Sequence, residues 1–174
     1  MKARYNLLAF AVIGILGAIS HFAYEWSGAN RFVGYFFAVN ESTWEHLKLL
    51  FFPTAFYSII EYIFVKKEIK NYVPATVISV IAGRATIVIL FYTYQGVLGY
   101  TIDFLNIVIY YIGLIIMLVI RNKIIDSEIL SDTNPSLIFL LIAVLIAFMF
   151  VRFTYLPPNL NIFTPPMIEK WCVI

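Results

Sequence analysis

Five long apolar stretches, separated by short polar or proline-containing segments, run along the chain. Each is close to the roughly 20 residues that an α-helix needs to cross the hydrocarbon core of a bilayer. The pattern therefore predicts an all-α integral membrane protein, a bundle of five transmembrane helices that forms a single domain over residues 1–174. The expected spans are residues 6–25, 46–65, 73–94, 101–120 and 136–155.

The distribution of lysine and arginine predicts the orientation of these helices. One set of helix ends carries Lys2 and Arg4, the run KKEIK at 66–70 and the run RNK at 121–123, whereas the opposite ends carry few basic residues. Short loops rich in lysine and arginine stay in the cytoplasm. We therefore expect the N-terminus inside and the C-terminus outside.

Two connecting segments are unlike ordinary aqueous loops. Residues 26–39 (WSGANRFVGYFFAV) are too apolar for a solvated loop, and too short and too broken by Gly28 and Gly34 for another span. An interfacial helix or a short re-entrant turn is expected there. Residues 155–166 (YLPPNLNIFTPP) contain four prolines and cannot be helical throughout, so we expect them to cover the outer end of the bundle.

The composition excludes several classes of protein. With 62% hydrophobic and 13% charged residues and a mean hydropathy of +0.89, the chain lacks the charge that a soluble domain of 174 residues needs on its surface. The net charge of +2 and the lack of a basic stripe interleaved with aromatic residues exclude nucleic acid as a partner. The expected partner is the lipid bilayer. A lone cysteine, Cys172, excludes an internal disulfide and a cysteine-based zinc site.

Ionisable residues concentrate at the predicted outer ends of the first two spans. His21 and Glu25 are four residues apart and share a helix face, as do Glu41 and Glu45, and His46 follows directly. Two histidines and two or three carboxylates form a suitable site for one divalent zinc, manganese or iron ion. We interpret His21, Glu25 and His46 as metal ligands, with Glu41 or Glu45 as the general base for a metal-bound water.

Arg84 lies in the middle of the third span, where a charged side chain requires a partner. It could reach Glu45, Glu41 or Asp103, or it could hold a substrate phosphate or carboxylate by bidentate hydrogen bonds. The candidate substrate-binding residues are Asn40, Lys48, Arg84, Asp103 and Arg152.

Each of these features also has a structural interpretation. Ser42 and Glu45 fit a capping box, in which each side chain binds the backbone amide of the other residue. Arg84 could form an ion pair that fixes the helix order, and Asp103 could pair with Arg152 across the last two helices. The tryptophans near the outer interface, Trp26, Trp44 and Trp171, are typical of an aromatic anchoring belt.

A resemblance to a known family rests on three segments and spans nearly the whole chain. The segments are HFAYEWSG at 21–28, VNESTWEHLKLLFFP at 39–53 and FTYLPP at 153–158. The chain resembles a family of small prokaryotic membrane proteins of unknown function with the signature Asn-Glu-Ser-x-Trp-Glu-His-x-Lys. The resemblance implies a multi-pass protein of a prokaryotic cell membrane, and it implies no activity. Its signature positions are His21, Glu25, Asn40, Glu41, Ser42, Trp44, Glu45, His46 and Lys48.

Three functions remain open from the sequence. The first is a metal-dependent hydrolase or transferase that acts on a lipid or a membrane-embedded substrate. The second is a transporter of a small ion or acid, which requires polar residues to continue through the membrane. The third is a non-catalytic accessory subunit, in which the signature motif forms a rigid helix cap and a docking surface.

Overall fold

A computed structural model describes residues 2–65, 69–127, 129–131 and 136–166. Throughout these ranges the regular structure is helical. Trp171 and Cys172 lie outside the described residues. The elements are α1 (Lys2–Trp26), α2 (Arg31–Gly34), α3 (Thr43–Val65), α4 (Tyr72–Leu98), α5 (Asp103–Ser127), α6 (Ser136–Tyr155) and a short 3₁₀ turn (Asn161–Phe163).

The predicted all-α bundle with five membrane-spanning helices is confirmed. Helices α1, α3, α4, α5 and α6 are each long and apolar enough to cross a bilayer. The largest difference from the predicted spans is in α5, which continues seven residues beyond Ile120 to Ser127. In this extension Arg121, expected in a polar loop, is buried inside the bundle.

Helix α3 is the most buried of the five and packs against α1, α4 and α6. Helix α4 packs along α5, and α1 also contacts α5, whereas α6 is the least buried helix. Helices α1, α4 and α6 finish at the end of the bundle where α3 and α5 begin. We call this the motif end, because the segment NESTWEHLK at 40–48 lies there, and we call the opposite end of the bundle the far end.

Small residues allow the helices to approach closely. A Cβ atom on Gly17 of α1 would lie 2.8 Å from the carbonyl oxygen of Leu49 in α3 and would overlap the Tyr110 side chain. Gly83 and Gly113 face each other between α4 and α5, where a Cβ on either would lie 2.8–3.0 Å from the carbonyl oxygen of the other. Contacts of this kind are typical of helix packing in membranes.

At the far end, the carboxylate of Glu61 is buried in a hydrogen-bonded group. Arg121 Nη1 lies 2.8 Å from Glu61 Oε2, Tyr72 donates its hydroxyl to the same oxygen at 2.6 Å, and Tyr57 donates to Oε1 at 3.2 Å. Glu61 and Arg121 are 6% and 3% exposed. These contacts join α3, α4 and α5.

The connection between α1 and α3 contains only one turn of regular helix, α2, and is not a sixth span. The Asn30 side chain caps α2 by accepting from the amides of Phe32 and Val33. The Tyr155 hydroxyl of α6 donates to the carbonyl of Arg31 at 2.9 Å, which holds the connection against the bundle. The segment after α6 lies against the motif end, because Phe163 in its 3₁₀ turn packs on Trp44 of α3.

Candidate functional site

Both histidines of the chain meet at the motif end with one carboxylate. His21 comes from the last turns of α1, His46 from the first turn of α3, and Glu41 from the loop just before α3. The Nε2 atoms of the two histidines are 3.2 Å apart. Glu41 Oε2 lies 3.6 Å from the Nε2 of His21 and 3.4 Å from that of His46. We call these three residues the His–Glu–His cluster.

The ring orientation of His46 directs a lone pair into this cluster. Its Nδ1 lies 2.9 Å from the backbone carbonyl oxygen of Ser42, which can only accept a hydrogen bond. Nδ1 must therefore carry the proton. In the neutral ring the lone pair then belongs to Nε2, the atom that faces His21 and Glu41. A hydrogen bond of this kind from the second ring nitrogen commonly fixes the tautomer of a metal-binding histidine.

The charge of Glu41 is stabilised by its two neighbours. Hydrogen bonding to His21, and then to His46, holds the pKa of the Glu41 carboxyl well below its usual value, although partial burial acts in the opposite direction. The hydrogen bond from His46 needs a proton on its Nε2, whereas a metal needs the lone pair of that atom, so a bound metal would replace this hydrogen bond. The negative charges of Glu25 and Asp103 also lie near enough to His21 to attract a positive charge at that position. The cluster therefore combines an ionised carboxylate with imidazole nitrogens in a negative environment, which favours a bound cation.

The spacing of the three donor atoms fits a tetrahedral metal site. Ligand nitrogens and oxygens lie about 2.0–2.2 Å from zinc, so two ligands of a regular tetrahedron are about 3.3–3.6 Å apart. The three separations here are 3.2, 3.4 and 3.6 Å. The side chains of His21, His46 and Glu41 are 32%, 28% and 55% exposed, so a fourth position remains accessible to water or substrate. The cluster could hold a metal ion of this type.

Glu45, expected as an alternative general base, lies outside this cluster. It is 2% exposed, and its Oε2 lies 2.7 Å from the Nζ of Lys48, which is fully buried. Lys48 also donates to the carbonyl of Gly34 at 2.9 Å and to the hydroxyl of Thr154 in α6 at 2.6 Å. Further contacts to this group come from the carbonyl of Phe37 at 3.3 Å and the amide of Val39 at 3.0 Å.

This buried group joins three parts of the chain through the single ammonium of Lys48: α3, the segment from Gly34 to Phe37, and α6. Lys48, expected as a substrate ligand, is therefore occupied by the protein itself. Thr154 is the residue that the sequence reasoning missed. The available signal was its position in FTYLPP, the third of the segments that carry the family resemblance.

The expected capping box is half present. The Ser42 hydroxyl faces the amide of Glu45 at 3.4 Å, but the Glu45 side chain does not return to the amide of Ser42. Asn40, expected as a substrate ligand, takes that place: its Oδ1 accepts from the Ser42 amide at 2.9 Å. Asn40 and Ser42 therefore shape the turn that presents Glu41 and begins α3.

The remaining predicted site residues are not in the cluster. Glu25 is exposed one helical turn beyond His21, outside the set of atoms that could share a metal. Asp103 is exposed at the start of α5, and Arg152 is exposed near the end of α6. Asp103 and Arg152 do not form the ion pair considered from the sequence.

Arg84 lies on the opposite side of α3 from His46. Its guanidinium is placed over the rings of Phe51, at 5.2 Å, and Phe150, at 5.4 Å. None of the three carboxylates expected as its partner lies within ion-pairing distance. Trp44, expected in an interfacial belt, also packs here, with its ring centroid 4.7 Å from that of Phe150 and 4.8 Å from that of Phe163.

Comparison with known proteins identifies the family and no activity. The model of DUF6512, a family of unknown function, matches residues 1–173, so the chain belongs to that family. No curated protein and no solved structure matches the chain.

Proposed function

We propose that this member of DUF6512 is a membrane-embedded metalloprotein that holds one divalent cation on His21, Glu41 and His46. The observation that carries the proposal is the convergence of three donor atoms at 3.2–3.6 Å, with the lone pair of His46 directed inward by the carbonyl of Ser42. Zinc is the metal we test first, because two imidazoles, one carboxylate and an open fourth position are an arrangement common at catalytic zinc sites, although manganese and iron accept the same donors.

The function that such a centre supports best is metal-dependent hydrolysis or group transfer on a lipid or membrane-embedded substrate. Three protein ligands with an open position are the arrangement of catalytic zinc sites, where the metal acidifies a bound water and polarises a carbonyl or phosphoryl oxygen. The cluster is partly exposed at the ends of spanning helices, where the polar groups of lipids lie. With the orientation expected from the basic residues, this is the outer face of a prokaryotic cell membrane.

Metal content is the first test. The full chain is purified in mild detergent without chelators, and its zinc, manganese and iron are measured by elemental mass spectrometry after incubation with each ion and desalting. We expect close to one zinc per chain in the wild type and loss of zinc in His46→Gln and Glu41→Gln. Glu25→Gln is the matched control, because it removes a carboxylate from the same end of α1 outside the cluster, and we expect it to retain zinc.

Failure to bind metal in the wild type, or equal zinc in the wild type and His46→Gln, would remove the basis of the proposal. Folding of every variant is checked by circular dichroism, so that loss of metal is not confused with unfolding. If His46→Gln does not fold, Glu41→Gln provides the same test, because its side chain is the most exposed of the three.

Activity is tested separately from metal binding. Zinc-loaded protein, metal-free protein and His46→Gln are reconstituted in phospholipid vesicles, and the release of fatty acids, headgroups or peptide fragments is followed by mass spectrometry. The hydrolase proposal requires product formation with the zinc-loaded wild type alone. Stoichiometric zinc without any product would favour the accessory function, in which the metal stabilises the motif end.

A further inference from the structure

A second candidate binding site lies on another face of α3. A partly open cavity of about 220 Å³ is formed between α3, α4 and α6. We call it the Arg84 groove. Since Trp44 and His46 are two positions apart on one helix, they point about 200° apart around its axis, which separates this groove from the His–Glu–His cluster. The lining residues are Trp44, Leu47, Ile81, Arg84, Ala85, Val88, Ile146 and Met149.

The polar side chains that line the groove carry hydrogen-bond donors and no acceptors. Six of its eight lining residues are apolar. The other two carry donors without side-chain acceptors: the guanidinium of Arg84 and the indole N–H of Trp44. The Nε atom of Arg84 and the Nε1 atom of Trp44 are both buried without a hydrogen-bond partner among the described residues. The charged group of this apolar cavity is the guanidinium of Arg84, and an acidic group is its complement.

The charge of Arg84 supports the same conclusion. The rings of Phe51 and Phe150 lie 5.2 and 5.4 Å from its guanidinium carbon, and such contacts compensate only part of the lost hydration. No carboxylate in the described part of the chain forms an ion pair with Arg84. An arginine at membrane depth requires an anion, water or the protein backbone as a partner, and the groove places apolar surface directly beside it.

The groove also has access to the surrounding lipid. Ile81, which is 40% exposed, and Ala85 lie on the side of α4 that faces away from the bundle. Val88 of α4 and Ile146 and Met149 of α6 continue the apolar surface. An apolar chain can therefore lie along the groove while its acidic end reaches the Arg84 guanidinium, whereas a free inorganic anion would leave the apolar surface uncovered.

We propose that the Arg84 groove binds an acidic lipid. The phosphate or carboxylate of the lipid accepts hydrogen bonds from the Arg84 guanidinium, and its acyl chain runs from there toward the far end over Ile81 and Ile146. This site makes no use of the His–Glu–His cluster, so it stands independently of the proposed metal function.

Fluorescence of Trp44 provides a direct test, since its ring lines the groove. The full chain with Trp26→Phe and Trp171→Phe, which leaves Trp44 as its single tryptophan, is placed in phosphatidylcholine vesicles. The vesicles contain a constant small fraction of lipid brominated on its acyl chains, either anionic phosphatidylglycerol or zwitterionic phosphatidylcholine. Bromine quenches tryptophan on contact. We expect the brominated phosphatidylglycerol to quench Trp44 several-fold more strongly.

The preference should depend on Arg84. Arg84→Gln should lower the relative affinity for the anionic lipid by about tenfold or more, the effect of losing a charge-assisted hydrogen bond. Arg84→Lys should retain an intermediate preference, because it keeps the charge without the fork of donors. Arg152→Gln is the matched control: it removes an exposed arginine of α6 near the same end and should leave the preference unchanged.

Several outcomes would overturn the proposal. Equal quenching by the two lipids would show that the groove does not recognise the acid. No quenching by either lipid would show that protein, from this chain or a second copy, fills the groove. An equal loss of preference in Arg84→Gln and Arg152→Gln would indicate general surface charge. Loss of the preference with inorganic phosphate, against chloride at equal ionic strength, would assign the donors to a soluble anion. If Arg84→Gln does not fold, the comparison of Arg84→Lys with the wild type decides the question.

Discussion

Replacement of Lys48 by methionine tests whether the buried ion pair of Glu45 and Lys48 stabilises the fold. The substitution keeps most of the side-chain volume and removes the ammonium. Four oxygens lie 2.6–3.3 Å from that ammonium, on Gly34, Phe37, Glu45 and Thr154. Without it, the Glu45 carboxylate, 2% exposed, keeps only weaker polar contacts.

The expected loss in the free energy of unfolding is about 3–5 kcal/mol, the usual effect of removing one partner of a buried ion pair. A typical domain has a total stability of about 5–15 kcal/mol, so Lys48→Met should remain folded but be clearly weakened. The double variant Glu45→Leu/Lys48→Met should recover most of this loss, because it leaves no uncompensated buried charge.

The assay is reversible unfolding in mixed micelles with increasing sodium dodecyl sulfate, followed by far-ultraviolet circular dichroism. Lys123→Met makes the same chemical change at an exposed position of α5 and should alter stability by less than about 0.5 kcal/mol. A loss of under about 1 kcal/mol in Lys48→Met, the range of solvent-exposed ion pairs, would refute the buried pair. Zinc content should be unchanged, since neither Glu45 nor Lys48 is in the His–Glu–His cluster.

Two further predictions use the same unfolding assay. Gly17→Ala should destabilise the protein by about 1–3 kcal/mol, because the new Cβ would overpack the contact between α1 and α3. Gly96→Ala should stabilise the protein by about 0.5–1 kcal/mol, because its new Cβ would meet nothing within 4 Å. Effects of the same sign in the two variants would contradict the close helix packing at Gly17. Arg121→Met should cost about 3–5 kcal/mol by leaving the carboxylate of Glu61 buried without its cation, against little change in Lys123→Met. Equal effects of these two substitutions would show that Arg121 is exposed.

The helices could be predicted from the sequence because each apolar run is long enough to span a bilayer by itself. The approach of His21 to His46 was also predictable, because adjacent spans are antiparallel and both residues lie near the same end. The different positions of Glu41, in the His–Glu–His cluster, and Glu45, in the buried ion pair, could not be predicted. The position of Glu45 depends on Thr154, which is more than 100 residues away in the sequence. Hydropathy alone likewise could not place Arg121, whose burial depends on Glu61 in another helix.

Helix α6 is held to the rest of the protein mainly at its C-terminal end. Its described side-chain hydrogen bonds to other elements come from Thr154 and Tyr155, in the final turn. By contrast, most side chains of its first half are exposed, including Leu137 and Leu141. A shift of the final turn would break the contacts of Thr154 and Tyr155, whereas a shift near Ser136 would break few contacts with the rest of the protein. We therefore expect the position of the first half of α6 to depend more on the surrounding lipid than that of any other part of the bundle.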